Sequence, residues 1–234
     1  MRRIIALVEA EQQTLEQEPL FEWLRQEDAD DPHKINFIPA MYFYILAFRD
    51  LLNLITGDED GALQTAVNAY VDEDAGHYLW YLEDMATAGF PTVESIELFD
   101  KRLLPSRRAI YRMIAYAMDH QDPIYRATLV TIFEATGEVF FRNTRRLMQR
   151  LGLDQRLSYF GTGHYEAEVS HSVKMDELAE IAITPAQYDI ASRMVCDAFA
   201  EYRGLFACWM ASARSFGSGV ELFEGGRVPA HAGR

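Results

Sequence analysis

The chain is short of cysteine and of positive charge. Only two cysteines occur in its 234 residues, Cys196 and Cys208. Both fall in one helical stretch, where a rise of 1.5 Å per residue keeps them roughly 18 Å apart. A disulfide between them is excluded in that setting, and a reducing cytoplasm is the expected compartment. Lysine and arginine total 22 against 36 aspartates and glutamates, a formal net charge of −14. Such a surface repels phosphate backbones and anionic lipid, which argues against nucleic acid and membrane partners. Long apolar runs are missing as well: the most apolar stretch, 37–48, stops at Arg49-Asp50, too short to span a bilayer. No alternating pattern of useful length suggests a strand, and no solenoid-type repeat is visible. The segment MRRIIALVEAEQQ turns acidic after one apolar turn, so it does not read as a signal peptide.

What is present is a helical core. Hydrophobic residues make up 49% of the chain and aromatics 12%, enough for one substantial domain. Breaks fall where turn chemistry places them. Helices are expected over about 3–26, 37–56 with Pro39 in its first turn, and 60–88 ending at Gly89-Phe90-Pro91. A segment capped by Thr92 or Ser95 and interrupted by Pro105 leads to Asp119. Asp122-Pro123 opens a long helix to Leu151, a bent one covers about 155–180, and Thr184-Pro185 starts the last, to Phe216. The expected fold is all-α, a single bundle of about seven helices over 1–216, with a frayed, Gly-rich tail over 217–234.

Two of the six histidines stand in His164-x3-Glu168-x2-His171. At 100° per residue these three side chains lie at 0°, about 40° and about −20°, one stripe of donors on a helix face. A second cluster, Tyr70-Val71-Asp72-Glu73-Asp74-Ala75-Gly76-His77, places Asp74 three residues before His77, with Glu73 competing for the same role. Carboxylate-x-x-His pairs projecting into a bundle are how di-metal sites are built. Between them, Glu134 lies among Val130, Ile132, Phe133 and Val139, with Glu138 one turn on. A carboxylate buried there needs a cation, either a metal or one of Arg142, Arg145, Arg146 and Arg150. Three histidines with two or three carboxylates and no thiolate are too oxygen-rich for structural zinc. They suit a pair of non-haem iron or manganese ions with open positions for dioxygen. The apolar stretch Met41–Phe48 reads as core and pocket wall, with Tyr42 and Tyr44 as polar contacts.

The order Asp74-x-x-His77, Glu134, His164-x3-Glu168-x2-His171 resembles that of the haem-oxygenase-like di-iron oxidases and oxygenases, over about residues 35–215. The resemblance implies a seven-helix bundle holding two Fe2+ ions, with Mn as an alternative, and using O2 as co-substrate. Asp74 and His77 would serve the first iron, Glu134 would bridge, and His164, Glu168 and His171 would hold the second. The implied reactions are N-oxygenation, C–C cleavage or desaturation of a small molecule. A homodimer and an external electron donor fit the same picture. Two departures stand out: Tyr70 replaces the glutamate that several members carry seven residues before the first histidine, and 37–44 offers no carboxylate. Beside an oxidising centre, Tyr70 could act as proton donor, radical site or sacrificial substrate, or simply pack. The alternative is a metal-free enzyme or small-molecule binding protein on the same bundle, as in thiamin-degrading and pyrroloquinoline-quinone-forming enzymes.

Overall fold

Asp122 begins the central helix of the molecule: its Oδ1 accepts the Ile124 amide at 2.9 Å, and Pro123 follows with its φ already set for a helix. In the computed structural model, which describes residues 1–27, 32–166 and 177–216, this is one element of an all-α bundle. In chain order the elements are α1 (Arg2–Leu15), α2 (Pro19–Arg25), a 3-10 stretch (Pro32–Met41) running into α3 (Tyr42–Ile55), α4 (Ala62–Asp74) and α5 (His77–Thr87). Two 3-10 turns (Glu97–Phe99 and Lys101–Leu103) lead to α6 (Leu104–Asp119), the central α7 (Pro123–Arg150), a 3-10 turn (Glu177–Glu180) and α8 (Pro185–Phe216). A further helical turn starts at 162, and the described residues contain no strand.

The long helices α7 and α8 start and stop where the sequence predicts. Thr184 and Gln187 close a reciprocal capping box, with Thr184 N donating to Gln187 Oε1 at 2.9 Å and Gln187 N to Thr184 Oγ1 at 3.2 Å. Other expected helices are broken. The first divides before Pro19, whose missing N–H ends one helix and suits the first turn of the next. The second begins as 3-10 through Pro39 and becomes α only at Tyr42. The third divides at Ala75-Gly76. Pro105 starts α6 rather than interrupting it. The helix expected over 155–180 does not run through 155–161, because a buried carboxylate takes the amides that would wind it.

Packing is centred on α7, which touches α1, α2, α4 and α8, while α8 also covers the Pro32–Met41 stretch and α6. Phe140 shows why the aromatic content is high: its ring meets Phe37, Phe160, Phe206 and Trp209. Each buried ring of this kind contributes roughly 1.5–3 kcal/mol. Pro32–Ile55 is long and apolar enough, by composition, to cross a membrane, yet half of its most apolar window is buried against the bundle. Both cysteines are free, Cys208 buried and Cys196 exposed. Residues 28–31, 167–176 and the 217–234 tail lie outside the described residues, and Glu168 and His171 with them.

Candidate metal centre

Asp74 is the last residue of α4 and His77 the first of α5. The joint keeps right-handed backbone, φ −56° and ψ −24° at Ala75 and φ −98° and ψ −12° at Gly76. The two side chains therefore remain neighbours although the helix does not continue, and His77 Nδ1 contacts Asp74 Oδ1. The other carboxylate oxygen accepts the Tyr70 hydroxyl at 3.1 Å. His164 arrives from the far side of the chain, its Nε2 3.0 Å from His77 Nδ1. One donor atom from each of Asp74, His77 and His164 lies within 4.8 Å of the others.

A second layer aims His164. Its Nδ1 lies 2.7 Å from the Tyr159 carbonyl oxygen. A carbonyl only accepts, so Nδ1 carries the hydrogen and, in the neutral ring, Nε2 presents its lone pair to the cluster. That carbonyl is held in turn by Asp84, which is fully buried and accepts the amides of Ser158, Tyr159 and Phe160 at 2.7, 2.9 and 3.0 Å. Burial pushes the Asp84 carboxyl up, against the pull of these three donors. At Gly161 a Cβ would fall 2.1 Å from the Leu157 carbonyl oxygen and 2.7 Å from that of Asp154, so only glycine closes this loop. The imidazoles sit in aromatic surroundings. His77 stacks on Trp80 with centroids 4.5 Å apart, and His164 lies 4.2 Å from Phe141 and 4.8 Å from Tyr159.

The cluster forms one wall of a cavity that opens to solvent and, counted with the solvent at its mouth, encloses about 730 Å3. Met41, the last residue of the 3-10 stretch, and Tyr44, Ile45, Phe48, Arg49 and Leu52 of α3 line it, a stripe at helical spacing. Thr136, Gly137 and Phe140 of α7 and Tyr202, Phe206 and Trp209 of α8 complete the opposite walls. Inside, the Tyr44 and Tyr202 hydroxyls are 2.6 Å apart. Burial holds the Tyr202 phenol up to about 12 and Tyr44 well above its ordinary value, so both stay protonated at neutral pH.

The residues singled out in the sequence divide accordingly. Asp74, His77, His164 and Tyr70 come together, Asp74 buried where Glu73 is exposed. His164 thus joins the donors that the resemblance gives to the other iron, because the loop under Asp84 carries it across to His77. Glu134 is buried in α7, one turn before Gly137 of the cavity wall. Glu138 instead accepts Gln12 Nε2 at 2.8 Å and pairs with Arg142 at 3.2 Å. Tyr44 faces the cavity, whereas Tyr42 packs on the Tyr81 ring. Asp84, Tyr159 and Tyr202 went unpredicted. Tyr202, Phe206 and Trp209 share a helix stripe, but a stripe marks core, and nothing local distinguishes a hydroxyl that meets another.

A carboxylate and two imidazoles, one with its lone pair set by a backbone carbonyl, suit iron or manganese and lack the thiolates of structural zinc. Residues 35–195 match the family model described as iron-containing redox enzyme. The chain belongs to this family. As a member of the iron-containing redox family it is an oxidoreductase in general terms, with iron as the implied metal. Among solved structures it is similar to a domain of unknown function with a heme oxygenase-like fold from Shewanella denitrificans OS217. The two are 16% identical with a TM-score of 0.60, and the match covers 94% of each chain, a likeness of fold. No curated protein matches the chain.

Proposed function

We propose that this family member is a non-haem di-iron oxygenase that uses dioxygen to oxidise a small organic molecule held in the aromatic cavity. The observation carrying this reading is the convergence of Asp74, His77 and His164 on that cavity's wall. Bound iron would supply the electrons that reduce dioxygen and the oxidising power directed at the substrate.

The chain's own residues supply the rest. Asp74 and His77 hold one side of the metal position, with Tyr70 orienting the carboxylate through its hydroxyl. His164 offers Nε2 because Tyr159 fixes its other nitrogen. Glu134, together with Glu168 and His171 outside the described residues, would provide for the second iron. Phe133, Phe140 and Trp209 exclude water from the reacting substrate, and the Tyr44–Tyr202 pair keeps a proton in place at a hydroxyl. N-oxygenation, C–C cleavage and desaturation are the reaction classes that the reading allows. It extends to a cytoplasmic location, a homodimer and an external electron donor.

The deciding experiment loads the metal-free chain anaerobically with Fe(II), counts the metal, and follows visible absorption as oxygen is admitted. Two irons per chain and an oxygen-dependent absorption change support the reading. Iron uptake that survives His77→Ala with His164→Ala, or no uptake by the unaltered chain, overturns it in favour of a metal-free enzyme or binding protein.

A further inference from the structure

The cavity carries more information than its size. Among the described residues, Arg49 is the only lysine or arginine lining the cavity, and no carboxylate pairs with it. Its Nη1 donates to the Ala75 carbonyl at 3.0 Å, and its guanidinium lies 4.9 Å from the Tyr78 ring centroid. These contacts hold the exposed guanidinium beside the cavity and leave N–H donors to spare. Asp74, the only carboxylate among the described lining residues, is already engaged by Tyr70 and His77.

Five residues back along α3, roughly 7–8 Å along the helix axis, stands Tyr44. Its hydroxyl pairs with Tyr202 at 2.6 Å, and Thr136 also bonds Tyr202. Thr136 gives its own hydrogen to the Ile132 and Phe133 carbonyls, so it accepts from Tyr202 while Tyr202 and Tyr44 share the other hydrogen, and the pair offers a ligand oxygen lone pairs. Between these polar ends the walls are mostly aromatic. Phe48 meets Phe133 edge to face at 5.0 Å, and Phe140 meets Trp209 at 5.5 Å. Among the described residues, aliphatic lining is confined to Met41, Ile45, Leu52 and Ala75. Ring against ring adds about 0.5–1.5 kcal/mol beyond area burial, which favours an arene over an alkyl chain of equal size.

We propose that the cavity takes an aromatic carboxylic acid, with its carboxylate on Arg49, its ring between Phe48 and Phe140, and a hydroxyl donating to the Tyr44–Tyr202 pair. This rests on reading the cavity as the substrate chamber of the iron enzyme. The polar ends set the length of the molecule to one ring with a short acid side chain. The chain's net charge of −14 gives anions no general attraction, so recognition depends on the short-range fork of Arg49.

Calorimetric titration of the full chain, metal-free and anaerobically Fe(II)-loaded, tests this with four probes: 3-(4-hydroxyphenyl)propanoate, its primary amide, 3-phenylpropanoate and decanoate. The phenolic acid is expected to bind about 10- to 100-fold more tightly than its amide, the range of a charge-assisted bond. Arg49→Gln should abolish that difference and leave the amide unchanged. Tyr44→Phe should weaken the phenolic acid and not 3-phenylpropanoate. Equal binding of acid and amide, an acid affinity indifferent to Arg49→Gln, decanoate binding as tightly, or no acid binding at all would each overturn the proposal. Iron counted on the same samples separates the two readings. Arg49-dependent binding without iron uptake leaves the aromatic-acid chamber standing and removes the iron. Iron uptake without acid binding does the reverse.

Discussion

Nδ1 of His164 and the carbonyl oxygen of Tyr159 stand 2.7 Å apart, and this one contact decides which nitrogen of the ring faces the candidate metal position. The contact depends on a loop that the sequence gives no local reason to fold. Its stability therefore governs the site, although neither Asp84 nor Gly161 belongs to the donor cluster itself.

Asp84→Asn replaces one acceptor oxygen with an amide that faces backbone N–H groups. We expect a loss of about 1–3 kcal/mol in urea unfolding. Metal affinity, followed by Co(II) titration, should fall about 10- to 100-fold, as for other groups that orient a ligand. Gly161→Ala should act in the same direction through its backbone clash. Unchanged Co(II) affinity in both variants would show that the loop does not aim His164.

Tyr70→Phe tests the hydroxyl on Asp74. One hydrogen bond is lost, costing about 0.5–1.5 kcal/mol, while the ring keeps its packing. Fe(II) affinity should fall with it and the helical circular-dichroism signal should hold. An affinity equal to that of the unaltered chain would reduce Tyr70 to packing.

Trp80 stacks on His77 and is one of only three tryptophans in the chain. Binding of a paramagnetic ion at His77 should quench its fluorescence. Trp80→Phe should remove most of the metal-dependent quenching without altering the bound stoichiometry. Quenching that persists in full would place the ion elsewhere.

Glu134 and Glu138 can be separated by the metal count. Glu134→Gln should lower iron from two to one per chain, whereas Glu138→Gln should leave it unchanged, because Glu138 is taken by Gln12 and Arg142. Equal counts in both variants would remove the bridging role of Glu134.

Buried Tyr202, held up to about 12, gives a pH dependence of defined sign. Its folded value lies above the unfolded one near 10, so the stabilisation is complete below about pH 10 and is lost as pH rises through about 12. Urea midpoints should fall across that interval, and tyrosinate absorbance should appear together with unfolding. Tyr202→Phe should flatten the fall. A midpoint constant up to pH 12 would contradict the assignment.

How much was legible in the sequence differs from element to element. Helices α7 and α8 could be read to within a residue or so, because Asp122-Pro123 and Thr184-Pro185 act through local chemistry that a linear string displays. Asp74 and His77 were legible for the same reason: their neighbourhood is set by three residues of backbone. The division of the ligands was not. Nothing near His164 reveals that Asp84, far back in the chain, draws three amides out of the helix expected there. The Tyr44–Tyr202 contact joins residues from opposite ends of the chain, and apolar periodicity reports only that both face inward.

The break at Ala75-Gly76 has a consequence for how the chain can vary. Asp74 ends one rod and His77 begins the next, so their spacing belongs to a joint, not to a continuous helix. One residue inserted at that joint would swing His77 by about 100° away from Asp74. One inserted in the connection between α5 and α6 would move neither. Length is thus as strictly specified at these two small residues as identity is at the ligands, and a homologue with an extra residue here would need a different set of donors.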